Sequence, residues 1–181
     1  SVFINSNLSQ LGEMHNLSGD HETAIMLLEY SLNYLPDVDC VVFNTLNRIS
    51  QIHMNQIDDE YTLSELRDTL EVSDTTLMRY FDYFPGSEDS LAQLIYIRIS
   101  LNYFLNFCEL LSYSNYDHDT FDSAVQAAQA AVNLNPSQSN NRRLERIQSW
   151  ELVNASVSII DTAGNPVSGT VTITNTSGTE K

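Results

Sequence analysis

Apolar residues recur at intervals of three and four along most of the first 150 positions, the period of helices that bury one face. Leu8, Leu11 and Met14 mark one face of a helix over 2–17, and Ala24, Leu28, Ser31 and Leu35 mark the facing side of a second over 21–35. Gly19 and Asp20 break and cap the chain between them. Val42, Leu46, Ile49 and Ile52 give a third helix, over 38–57, that ends in the acidic stretch IDDEYT. Thr62 with Glu65 forms a capping box for a short helix. Ser73 is placed to cap the next, which runs to the break at Pro85 and Gly86. A long apolar helix is expected over 89–113, an alanine-rich one through TFDSAVQAAQAAVNLNP, and an amphipathic one over 140–150. After Leu152 the period becomes two. Val157 and Ile159 alternate with polar residues, Gly164, Asn165 and Pro166 turn the chain, and Val171 and Ile173 alternate again, as in a β-hairpin. The pattern therefore predicts a mainly α protein of about seven antiparallel helices over 1–152, followed by a hairpin segment over 153–181.

The stretch LGEMHNLSGDHETAIMLLEYSLNYLP, with Leu8 just upstream, resembles a tetratricopeptide repeat, a helix-turn-helix unit of about 34 residues. Leu8 and Gly12 stand at the first-helix positions, Gly19 at the turn, and Ala24, Leu28, Ser31 and Pro36 along the second helix, while His15 replaces the usual aromatic. Ala124, Ala128, Ala131 and Pro136 repeat the spacing of the second helix, but the helix before them lacks the glycines. The resemblance implies an α-solenoid whose concave face, lined by the first helix of each pair, binds a peptide or protein partner. Here that face would include Ser9, Glu13 and Asn16. It has no lysine or arginine to clamp a terminal carboxylate, so a neutral or basic segment, or another copy of the chain, is the implied partner.

Two further resemblances point elsewhere. YTLSELRDTLEVSDTTLMRYFDYF resembles a DNA-binding helix-turn-helix, through Leu66, Leu70, Val72, Leu77, Tyr80 and a capping Ser73. Arg67 and Glu71 depart from its small residue and turn glycine, and Arg79 is the lone base of the would-be recognition helix. VSIIDTAGNPVSGTVTI resembles the start of an immunoglobulin-like or carboxypeptidase-regulatory-like β-domain, through Asp161, Gly164, Pro166, Val167 and Gly169. Such domains are common in secreted and surface-anchored proteins, which implies an extracellular or cell-surface setting, with the cytoplasm as the alternative. Val157, Ile159, Val171 and Ile173 would then be assembly strands that take partner strands from outside the chain.

Composition narrows the choice. Twenty-four acids against eight bases give a net charge of −16, which disfavours nucleic acid and anionic lipid as partners. Lys181 is the only lysine, so no phosphate-binding loop of the GK[ST] kind exists. HETAI has Ile25 where a zinc protease needs its second histidine, and no GxSxG occurs. Asp20, Asp37, Asp89 and Asp119 are read as helix caps and not as metal ligands, Cys40 and Cys108 as buried thiols, and no apolar run as long enough for membrane insertion. Sequons at Asn7, Asn16, Asn154 and Asn175 would matter only in a glycosylating compartment. The expected function is a non-enzymatic interaction module without cofactor or metal. The alternatives are a structural subunit of an extracellular filament or surface layer and, third, a helix-turn-helix regulator.

Overall fold

Short polar turns punctuate the apolar periodicity, and each becomes a helix boundary in the computed structural model, which describes residues 2–57, 61–113 and 115–151 together with Thr162 and Asn165. Among these residues the helices are α1 (Val2–Leu17), α2 (His21–Leu32), α3 (Asp39–Asn55), α4 (Leu63–Met78), α5 (Tyr80–Tyr83), α6 (Ser90–Ser112), α7 (His118–Leu134) and α8 (Gln138–Gln148). α5 is a single turn, so seven helices of 11 to 23 residues form the body. α1 packs on α2, α2 on α3, α3 on α4, α4 on α6, α6 on α7 and α7 on α8. This order of contacts, with short connections, is compatible with a helical-repeat architecture. The chain divides after Glu151. Apart from Thr162 and Asn165, the expected hairpin over 153–181, with Val157, Ile159, Val171, Ile173, Asn154 and Asn175, lies outside the described residues.

Small residues set the closest approach within each of the three large pairs. In α1–α2 a Cβ at Gly12 would lie 3.2 Å from the Ala24 carbonyl oxygen and 3.2 Å from Leu28 Cγ. Gly19, at φ +85°, makes the turn, where a side chain would be strained. In α3–α4 the hydroxyls of Ser50 and Ser73, both buried, share a hydrogen bond of 2.6 Å. In α6–α7 the fully buried Ser100 donates to the Ala124 carbonyl at 3.1 Å. Asn102 on α6 donates to Ser73 at 3.1 Å, which ties the second pair to the third. Ala24→Phe should therefore overpack the first pair and cost about 1–3 kcal/mol, a fall of roughly 2–12 °C in Tm. An unchanged melting curve would mean that Gly12 and Ala24 do not set the spacing of that pair.

Several expectations need correction. Ser73 caps nothing: α4 runs unbroken from Leu63 to Met78 and Ser73 is buried in its middle, so the resemblance to a DNA-binding helix-turn-helix loses its turn. Leu11 and Met14 do not face α2 but are 43% and 66% exposed, because α1 meets α2 through Gly12 and the buried Asn5. Asn5 donates to the Ser31 carbonyl at 3.0 Å, which holds that rotation. α2 stops at Leu32, before Leu35 and Pro36. Cys40 is exposed in the first turn of α3, on the side away from Val42 and Leu46, while Cys108 is half-buried and burial pushes its thiol up. Of the four expected caps, Asp20 accepts from Thr23 N and Asp89 from Leu91 N and Ala92 N. Asp117, not Asp119, caps α7, and the residue before α3 is Val38, not Asp37, with no side-chain cap. α6 is long and apolar enough to cross a membrane by length and composition. In this body it buries Ala92, Ile95, Ile99, Ser100, Phe107 and Leu110.

Candidate binding groove

The face of α1 that turns toward α3 is almost entirely polar. Asn5, Ser9, Glu13 and Asn16 recur at intervals of three and four, one helical face, and α3 answers with Asn44, Asn47 and Arg48, Gln51 and Asn55. Between them run two adjoining hollows, of 560 Å³ and 270 Å³, that share Arg48 and Gln51 as walls. Ser9 lines the larger hollow, Glu13 and Asn16 the smaller. The structure thus brings together the three residues assigned to the concave face and sets α3 opposite them, and with α3 it brings Arg48 to a face expected to carry no base.

Charge is nearly balanced here, although the chain is strongly acidic. Arg48 Nη2 stands 3.7 Å from Glu13 Oε2, each side chain about two-fifths exposed, so the two offset each other in the field while adding little stability. Apart from Val41 and Ile52, the rest of the lining is carboxamide and hydroxyl. A carboxamide carries an acceptor and a donor side by side, the same pair that a peptide bond presents. Asn44, Gln51 and Asn55 are exposed, and Asn47 is half-buried. Asn16 is turned away in part, its Oδ1 lying 3.0 Å from His21 Nδ1.

The other assigned positions have structural surroundings. Leu8 is half-buried, Gly12, Ala24 and Leu28 lie in the α1–α2 seam, and Ala124 and Ala131 are buried on α7. Gly19 stands in the turn, and Pro36 and Pro136 in the connections that follow α2 and α7. Asn7 is exposed on the opposite side of α1 from the groove. The α3 half of the groove was missed in the sequence, where only the apolar stripe of that helix was read. Its polar stripe, Asn44, Asn47, Gln51 and Asn55, has the same helical spacing and was available.

A further hollow of 360 Å³ lies against α3 and α4, lined by His53, Tyr61, Glu65 and Asp68 among others. Glu65 is already committed there: it accepts from Thr62 N at 2.8 Å while its own amide donates to Thr62 Oγ1 at 3.2 Å, completing the capping box. Burial pushes the His53 imidazole down, toward the neutral form. No group of three His, Cys, Asp or Glu converges to hold a metal among the described residues. No protein-family model matches this chain, and no match was found among curated proteins.

Proposed function

We propose that the helical body is a tetratricopeptide-like, non-enzymatic interaction module that holds an extended, neutral or weakly basic segment of a partner protein in the α1–α3 groove. The observation that carries this is the carboxamide lining on both walls. Asn44, Asn47 and Gln51 offer donor and acceptor pairs to a peptide backbone, and the Glu13–Arg48 pair leaves little net charge to demand a charged ligand. Backbone recognition of this kind is tolerant of sequence, with apolar neighbours supplying preference. Display outside the cytoplasm belongs to the same proposal and rests on the resemblance of 153–181 to a β-domain of secreted proteins.

A displayed library of random extended peptides, panned against the chain, tests the reading. Selected peptides should bind an Asn44→Ala, Asn47→Ala, Gln51→Ala triple variant at least tenfold more weakly, since each lost hydrogen bond is worth about 0.5–1.5 kcal/mol. The melting temperature should stay close to that of the wild type, because none of the three side chains is buried. Equal binding by the triple variant would place recognition elsewhere.

A second reading, self-association, is favoured by the outer side of α1, where Phe3, Ile4, Leu11, Met14 and Leu17 are all exposed. Light scattering separates the two: a binding module is a monomer, and a structural subunit associates with rising concentration.

A further inference from the structure

Acids outnumber bases threefold in this chain, and the described arginines nearest to acids are already engaged. Arg48 faces Glu13, Arg67 holds Asp117 and Asp119, and Arg79 grips Glu29 with two hydrogen bonds. Asp20, Glu65, Asp89 and Asp117 accept from helix-end amides. Asp74 on α4 has neither kind of partner: its half-buried carboxylate accepts no hydrogen bond and meets no base among the described residues.

Asp74 lines a hollow of 240 Å³ between α4, α6 and α7. Tyr96 and Tyr103 on α6 and Met78 on α4 wall it, and Gln126 and Ala130 of α7 close the far side, the alanine leaving room where a larger side chain would fill it. Tyr96 is fixed against Phe81, their ring centroids 5.5 Å apart. Two phenol rings, a thioether and one uncompensated carboxylate around a space of this size make a receptor for a small cation with an alkyl stem. The carboxylate supplies Coulomb attraction, and the tyrosine rings that line the hollow offer cation–π partners. The volume is below that of a site for drug-sized ligands and suits a single alkylammonium group.

We infer that the α4–α6–α7 hollow is a binding site for an alkylammonium group, held by Asp74 between Tyr96 and Tyr103 and separate from the α1–α3 groove. The electrostatics agree. Burial raises the Asp74 pKa and the nearby Glu71 carboxylate raises it further, and no basic side chain among the described residues lines the hollow. Tyr103 is pushed up to about 12, by burial first and then by the carboxylates of Asp74 and Glu71. A bound cation would offset the burial and the Glu71 repulsion that act on the Asp74 carboxylate.

The probes are n-butylammonium, choline and a neutral-capped Gly-Lys-Gly peptide with its Nε-acetyl counterpart, each titrated into the full chain while the Tyr103 ring resonances are followed by NMR. Saturable shifts are expected with the three cations and none with the acetylated peptide. Asp74→Asn should weaken the cations at least tenfold, and Glu71→Gln, on an exposed side chain, by a smaller factor. Tighter binding of the lysine peptide than of n-butylammonium identifies the source as a partner's lysine, and the reverse order identifies a free amine. Either order supports the site. Absence of a saturable Tyr103 shift with all three cations, or equal affinity in Asp74→Asn, overturns it. The outcome leaves the groove reading intact, because no residue is shared between the two sites.

Discussion

Phe107→Ala is expected to destabilise the helical body by roughly 3–5 kcal/mol, a fall of about 6–20 °C in Tm for a unit of this size. The ring is wholly buried. It stands 5.0 Å from the Phe121 ring and 5.1 Å, edge on, from the Tyr116 ring, with Phe104 stacked at 6.3 Å. Ala124, Ala128, Leu144 and Ile147 complete the same cluster, which joins α6, α7 and α8. The neighbours are aromatic rings on α6, on α7 and on the segment between them, which cannot all move inward, and the space left by truncation would stay largely open. That places the substitution at the costly end of large-to-small changes. Phe104→Ala is the control: Phe104 is only half-buried and its loss should cost markedly less. Thermal unfolding followed by circular dichroism checks both. If the Phe107→Ala melt overlays the wild type, the α6–α8 cluster is not part of the cooperative unit.

Periodicity carried most of the helical order, because each helix buries a stripe that the sequence displays at intervals of three and four. The first pair was legible in finer detail. Gly12 is a poor helix former, so its physical use in mid-helix is close approach, and the small Ala24 leaves room for it. The second and third pairs use serine for the same purpose, at Ser50, Ser73 and Ser100, and serine in a sequence signals a cap more strongly than a crossing. That ambiguity split α4 in two on paper, where the structure gives one helix whose central hydroxyl is satisfied by its neighbour.

The groove was half legible for a related reason. α1 shows Ser9, Glu13 and Asn16 on one side and Leu11 and Met14 on another, and the apolar side invites the inference that it is the buried one. The buried side is instead Asn5 and Gly12. A hydrogen bond from Asn5 to a carbonyl of α2, and a glycine that lets the helices meet, outweigh two exposed apolar side chains. The consequence is functional, since the same rotation leaves the polar face of α1 opposite α3 and the apolar face open.

Asp117→Ala is expected to cost about 2–3 kcal/mol at neutral pH and to flatten the loss of stability in acid. The carboxylate is almost fully buried at the start of α7, where it accepts from Thr120 N at 3.1 Å and from the Thr120 hydroxyl. Arg67, from the second turn of α4, reaches across to donate to it and lies 3.0 Å from Asp119 as well. Loss of the cap is worth about 0.5–2 kcal/mol, and the charged hydrogen bonds to Arg67 add to it. Their share is reduced because the Arg67 side chain is 43% exposed and its charge is screened. Burial works to raise the Asp117 pKa, but the hydrogen bonds from Arg67 and Thr120, with the Arg67 charge, outweigh it and hold the group below its ordinary 3.8. A carboxyl that is more acidic in the folded than in the unfolded chain contributes its full stability above the unfolded value and loses it as pH falls through the folded one. Asp20, Glu65 and Asp89 are lowered too and act in the same direction, while Asp74 is raised and acts in the opposite one. The difference between wild type and Asp117→Ala cancels these shared contributions. Urea unfolding of the two proteins at a series of pH values should give curves well separated at neutral pH that converge below the ordinary aspartate range. Asp117→Asn, which keeps a capping oxygen but no charge for Arg67, should fall between them. Parallel loss of stability in wild type and Asp117→Ala would mean that the Arg67–Asp117 contact does not hold α4 to the start of α7.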